Sequence, residues 1–271
     1  MSAKVVALAG ANGNVGRFFT DAFLKLNAFQ VCLLVRNQSV DTTPYQEYKK
    51  RGASLHAISY DDFAGLTKAL EGVDVLVSCV GPEVITSAQA GVKVFFPSEY
   101  GGHFPDSVTY PYMQEMRAVV KSAQDHRLPV ARLNNGGLPE YMFIPSFGFD
   151  LAKKKATIWG EGNAKASWTT TTSLANVLKS VPISQLENKD FSIEASCSTM
   201  NQVVKLWEQK HKEKLQVEYR PLKELEDRIA ADPNDIFAAA LHGWDAGYGY
   251  VGGKDNGLYP EWKPETLESV L

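Results

Sequence analysis

Cysteine is scarce. Cys32, Cys79 and Cys197 are spread along 271 residues, with no CxxC pair and no His/Cys spacing of the metal-ligand kind. That argues against a disulfide framework and a thiolate metal site, and it predicts buried thiols in a reducing cytosol. Charge of one sign is also lacking. The net charge is -3, and no basic cluster exceeds Lys49-Lys50-Arg51 or Lys153-Lys154-Lys155, so a dominant nucleic-acid face is not expected. No apolar run approaches the roughly 20 residues of a membrane-spanning helix. The N-terminus enters a strand without the basic region and apolar core of a secretory signal. The expectation is a cytoplasmic chain, monomeric or homodimeric, whose partner is a small molecule and neither nucleic acid nor membrane. Low-complexity linkers and fixed-period repeats are missing as well.

What is present is ordinary globular composition, 44% hydrophobic and 22% charged, in a chain long enough for one large domain or two lobes. The first half alternates strand and helix. Strands are predicted at 5–9, 31–35, 55–58, 75–80, 92–96 and 130–133, and helices at 15–26, 45–50, 62–70 and 111–126. Such repeats imply an α/β fold with a doubly wound parallel sheet of Rossmann type. The second half changes character, with strands at 156–159, 191–195 and 215–219 and helices at 173–181, 200–211 and 222–231. The predicted organisation is a dinucleotide-binding domain over 1–136 and a smaller α+β substrate lobe over 137–271, interleaved with the sheet edge.

The stretch ALAGANGNVGRFF, residues 7–19, carries glycines at 10, 13 and 16 between the first strand and the first helix. Glycine here permits a tight turn and lets backbone N–H groups approach a pyrophosphate at a helix N-terminus. The predicted cradle is Gly10, Asn12, Gly13, Asn14, Val15 and Gly16. Twenty residues beyond Gly16, where a carboxylate would bind the ribose 2'-hydroxyl of NAD, stands Arg36, and no acid follows until Asp41. A guanidinium suits a 2'-phosphate, so the predicted cofactor is NADPH. Asn37 and Ser39 are possible neutral donors beside it.

GANGNVG, LLVRNQS, SYDD, VSCVG and GVKVFFPSEYGG, followed by NGGLPEY, IWGEGNAKASWTT, NKDFSIEA, QVVKLWE and LYPEWKPETLESVL, together resemble the isoflavone-reductase-like, or NmrA-like, branch of the atypical short-chain dehydrogenases. The likeness covers nearly the whole chain. It implies a Rossmann domain, a smaller substrate lobe, NADPH and reduction of small aromatic, phenolic or polyketide-like compounds. Some members of that family bind the cofactor without turnover and act as redox-sensing regulators. A non-redox cyclase or isomerase reusing the pocket is a third possibility.

Two departures stand out. The family's catalytic lysine lies thirteen residues before the proline that opens the sixth strand; here that proline is Pro129 and the position is Met116, which can neither donate a proton nor carry charge. Tyr112, one helical turn earlier, shares its face, and a phenol of ordinary pKa, about 10, stays protonated at neutral pH. Tyr112 is therefore the candidate acid, with Ser98 and His103 as further polar candidates; packing explains Tyr112 and Met116 equally well. Gly81, Ser98 and Asn135 are expected at the cofactor. Met116, Asn134, Tyr141, Phe147 and Trp168 are expected at the substrate, although core packing accounts for the aromatic residues just as well. The second departure is a crossover of only eleven residues, GPEVITSAQAG at 81–91, with a helix of about two turns near 83–90, leaving a more open cleft.

Overall fold

The computed structural model describes residues 4–80, 91–259 and 262–271. Along the chain run β1 (Lys4–Ala9), α1 (Gly16–Leu26), β2 (Phe29–Arg36), α2 (Thr43–Lys50), β3 (Ser54–Ile58), α3 (Phe63–Ala69), β4 (Val75–Ser78), β5 (Val94–Phe96), α4 (Pro111–Asp125) and β6 (Ala131–Asn134). Then come α5 (Pro139–Met142), β7 (Phe149–Asp150), β8 (Lys155–Trp159), β9 (Lys165–Trp168), α6 (Thr171–Ser180), α7 (Ile183–Leu186), β10 (Lys189–Ser192) and β11 (Ser196–Thr199). The chain closes with α8 (Met200–His211), β12 (Gln216–Arg220), α9 (Lys223–Ala231), α10 (Ile236–Asp245) and α11 (Leu267–Val270).

β3, β2, β1, β4 and β5 form one parallel sheet in that order. The fold is thus mixed α/β with the doubly wound order that reverses direction between β1 and β4. Val6 to Ala9 are fully buried, which is why β1 reads as a continuous apolar run rather than an alternating one. Phe19, Ala22 and Phe23 form the buried stripe of α1. That helix stops at Asn27, a residue with φ of 47° that donates its N–H back to Leu24 O, the left-handed ending open to asparagine.

Two compact units partition the described chain. The first takes residues up to 99 together with 115–133 and 174–190; the second takes 100–114, 134–173 and 191–271. In the second, the sheet β12-β8-β7 and the antiparallel pair β11-β9 accompany a core in which Trp168 stacks on Phe143 at 5.4 Å and tilts against Trp244 at 5.1 Å.

The sixth strand differs from expectation. Residues 131–134 pair with β10, and only Val130 reaches the five-stranded sheet, through one parallel bridge to Phe95. β5 spans just three residues, so it presents too little edge for a full sixth ladder. The strand expected at 191–195 begins earlier, at Lys189, because exposed Lys189 and Asp190 stand on a half-solvated pair and break the apolar pattern. α10 is an addition to the expected elements; its start is set by Asp235, whose side chain accepts from the Ala238 N–H at 2.9 Å. The thiols are less buried than expected: Cys32 and Cys79 are half-buried and Cys197 is exposed. The expected helix at 83–90 and the site residue Gly81 lie outside the described residues. Among the described residues no helix is long and apolar enough to cross a membrane.

Candidate functional site

The glycine-rich loop turns where β1 leaves the sheet. Gly10 has φ of +77°, and a Cβ there would lie 2.6 Å from Cys79 O and 2.5 Å from Val80 Cγ1. Gly13 donates its N–H to Gly10 O at 2.9 Å, closing the turn. Gly16 meets the same carbonyl from the helix side, with only 2.0 Å available to a Cβ. Gly10 and Gly16 therefore answer to packing, whereas Gly13 is solvent-exposed, on the outside of the turn. Val15 precedes α1 without a side-chain cap, and the first turn of α1 holds no acid. Backbone carbonyls serve the first turn instead, the Arg17 N–H donating to Gly13 O at 3.2 Å and the Phe18 N–H to Val15 O at 3.0 Å, and the helix start carries the positive end of its dipole.

Around this loop lies an open cleft of about 330 Å³, lined by Gly10, Asn12, Gly13, Leu34, Arg36, Ser39, Thr42, Tyr45, Tyr60, Cys79 and Val80. The lining contains a guanidinium, hydroxyls, an amide and backbone donors, and no carboxylate. This donor set fits a phosphorylated dinucleotide with an extra 2'-phosphate better than one with a free 2'-hydroxyl. Arg36 ends β2 with its guanidinium 5.7 Å from the centre of the Tyr60 ring. Burial pushes the Tyr45 phenol above the ordinary tyrosine range, while the Asn12 backbone and the Arg36 charge pull it down. Sequence reasoning misses Tyr45 and Tyr60 as cleft residues. Their signal is present all the same: Tyr45 starts a Tyr-rich face on α2, and Tyr60 follows the end of β3 in SYDD.

Among the described residues, Tyr112, Met116, Ser98, His103, Asn134, Asn135, Tyr141, Phe147 and Trp168 are not part of this lining. Tyr112 is half-buried in the first turn of α4, and Met116 on the same helix face is 1% exposed. Met116 therefore offers no surface to a substrate here. Ser98 is half-buried beyond β5; His103 is exposed, and its backbone N–H donates to Tyr248 O at 2.9 Å. Asn134 is half-buried. Asn135 has no exposed surface; its Nδ2 donates to Gly136 O at 3.0 Å, and its Oδ1 finds no partner among the described residues. Trp168 and Phe147 are core residues of the second unit, and Tyr141 is half-buried with its ring 5.5 Å from Phe147.

Two polar pairs in the second unit are invisible in the sequence. Tyr110 Oη lies 3.2 Å from His242 Nδ1, and burial raises the Tyr110 pKa, with Tyr248 adding to the effect. Glu140 Oε1 accepts from the N–H and hydroxyl of Thr171 at 2.8 and 2.9 Å, while Oε2 is buried without a partner among the described residues. Burial, reinforced by the Glu265 charge, raises the Glu140 pKa against the pull of Thr171. The sign follows from linkage: a carboxyl raised in the folded state stabilises fully below the unfolded value, about 4.3, and that stability is lost as pH climbs through the folded value. Glu140→Gln keeps an acceptor for Thr171 and removes the titration. The variant should lose this fall in thermal stability above pH ~4 and match or exceed the parent at neutral pH. A parent and variant with parallel Tm-against-pH curves would exclude it.

Residues 2–112 match the family model described as NmrA-like family. A phenylcoumaran benzylic ether reductase of Pinus taeda is 28% identical, over 98% of this chain and 97% of that protein. Eugenol synthase 1 of Petunia hybrida is 25% identical, with the same two coverages, 98% and 97%. Among solved structures, a chain from the crystal structures of pinoresinol-lariciresinol and phenylcoumaran benzylic ether reductases superposes with a TM-score of 0.81 at 22% identity, covering 98% of each chain. The leucoanthocyanidin reductase–NADPH binary complex from Vitis vinifera does so at 0.78 and 21%, covering 97% of each.

Proposed function

We propose that the chain, whose residues 2–112 match the NmrA-like family model and which is 28% identical to a phenylcoumaran benzylic ether reductase, is an NADPH-dependent reductase of a small aromatic or phenolic substrate. The observation that carries this reading is the cleft at the end of β1, where the glycine turn and Arg36 share one lining free of carboxylates. The nicotinamide, when bound, supplies the hydride. The protein's part is to bind and orient. The loop from Gly10 to Gly16 holds the pyrophosphate and Arg36 the 2'-phosphate; Gly81, Ser98 and the 134–135 segment serve the rest of the cofactor. Tyr112 holds the proton delivered to the product, and the part of the chain from residue 137 acts as the substrate lobe, with Asn134 and Tyr141 on the substrate side.

The test is a titration of the purified protein with NADPH and NADH, followed by a search for NADPH oxidation with a panel of phenolic and quinone compounds. A charge-assisted contact is worth about 1.5–3 kcal/mol, so NADPH should bind at least about tenfold more tightly, and Arg36→Ala should remove most of that preference. Equal affinities in the parent would overturn the assignment. Met116 supports a second reading, an NADP(H)-binding sensor, because a buried thioether stands where the family's lysine would act. Tight, NADPH-selective binding with no turnover across the panel would favour it.

A further inference from the structure

Two hollows meet at Arg36. One is the glycine-loop cleft; the other, of about 370 Å³, is lined by Arg36, Asn37, Gln38, Ile58, Ser59, Tyr60 and Asp61. Arg36 and Tyr60 are the residues common to both linings, and they face each other as a cation over an aromatic ring at 5.7 Å. The two sides differ in charge. Asp61 brings a carboxylate to the second hollow, whereas Ser39, Thr42 and Tyr45 bring neutral hydroxyls to the first. A phosphate monoester is therefore disfavoured on the Asp61 side and accepted on the other. An arginine is long and has many rotamers, and a guanidinium already ordered loses less freedom when a phosphate binds.

We propose that Tyr60 is a specificity-determining positioning residue: its ring holds the Arg36 guanidinium at the junction of the two hollows, so that selection of a 2'-phosphorylated dinucleotide depends on the aromatic face of Tyr60. The proposal rests on the NADPH reading above. A stacking role for the same ring would behave differently. A ring that packed on the adenine would contribute alike to NADPH and NADH, which share that base. A ring that positions Arg36 contributes only where the 2'-phosphate is present.

The experiment measures dissociation constants for NADPH and NADH in the parent, Tyr60→Phe, Tyr60→Leu, Tyr60→Ala, Arg36→Ala and the double variant Tyr60→Ala/Arg36→Ala. A cation over an aromatic face at an exposed site corresponds to a factor of about 2–5 in affinity. Tyr60→Leu and Tyr60→Ala should lower the NADPH-over-NADH ratio by about that factor, while Tyr60→Phe keeps the parent ratio. With Arg36 already replaced, removing Tyr60 should leave the ratio where it is. Tyr60→Leu retains apolar bulk, so it carries the test if Tyr60→Ala unfolds. An NADPH-selective parent whose ratio survives Tyr60→Leu, or loses both affinities equally, would overturn this proposal and leave the cofactor reading standing. A parent without NADPH preference would overturn both.

Discussion

Replacing Gly13 with valine is expected to abolish dinucleotide binding while leaving the fold in place. The three glycines of the loop are not equivalent. A Cβ at Gly16 would sit 2.0 Å from Gly10 O, and one at Gly10 would meet Cys79 O and Val80 at 2.5–2.6 Å in a backbone conformation of positive φ. Substitution at either position strikes the packing of α1 on the sheet. Gly13 is different: its Cβ would lie 3.1 Å from Gly10 O and 3.8 Å from Cys79 O, a shift of a few tenths of an ångström from ordinary van der Waals distance. Its position is exposed on the cleft lining, so the valine methyls would occupy space that a pyrophosphate needs. Denying the phosphates two charge-assisted hydrogen bonds, each worth about 1.5–3 kcal/mol, corresponds to a fall in affinity of about a hundredfold or more. NADPH titration should show that fall, with the far-UV circular dichroism spectrum of the parent retained. Undiminished binding in a folded Gly13→Val protein would mean that the loop is a turn and nothing more.

The contrast among these glycines shows where sequence reasoning reaches and where it stops. Spacing and flanking pattern locate the loop, because a strand buried on both faces and a helix with a buried stripe leave strong periodic signals: Val6–Ala9 on one side, Phe19, Ala22 and Phe23 on the other. Arg36 is legible for the same reason, being fixed by its distance along the chain from the loop. The parallel sheet follows from strand and helix alternation. What is not legible depends on the meeting of segments far apart in sequence. Tyr60 meets Arg36 only because β2 and β3 lie side by side in register, Arg36 opposite Ile58. Glu140 meets Thr171, and Tyr110 meets His242, across separations that no local pattern encodes. Aromatic residues pose the opposite difficulty. Trp168 and Phe147 have the composition of a ligand pocket, yet they bury themselves against Phe143, Trp244 and Phe237, as large apolar side chains do when a core is available.

Tyr112→Phe is expected to slow NADPH-dependent reduction by about 10²- to 10⁴-fold, the usual contribution of a positioned general acid. Met116 is what makes another acid necessary. It stands where the family resemblance implies a lysine and is 1% exposed, and its thioether adds no charge and no proton. Hydride transfer needs the nicotinamide held close to an acceptor carbon, which is a matter of orientation. The proton must come from elsewhere, and Tyr112 lies one turn earlier on the same face of α4. Loss of its hydroxyl should lower kcat and kcat/KM together, because the proton is needed in the transition state and not for binding; NADPH affinity should be unchanged. The neighbouring Tyr110 provides the internal control. Its phenol is 3.2 Å from His242 Nδ1 and is pushed by burial toward the protonated form, so it is the other phenol at the start of α4 able to hold a proton. If Tyr112→Phe leaves turnover intact while Tyr110→Phe reduces it and alters its pH profile, the acid is the Tyr110–His242 pair and Tyr112 is packing. If both variants turn over like the parent, the proton comes from neither phenol. A parent that converts substrate with no NADPH present would instead make the reaction non-redox, and the cleft at Arg36 would then serve binding alone.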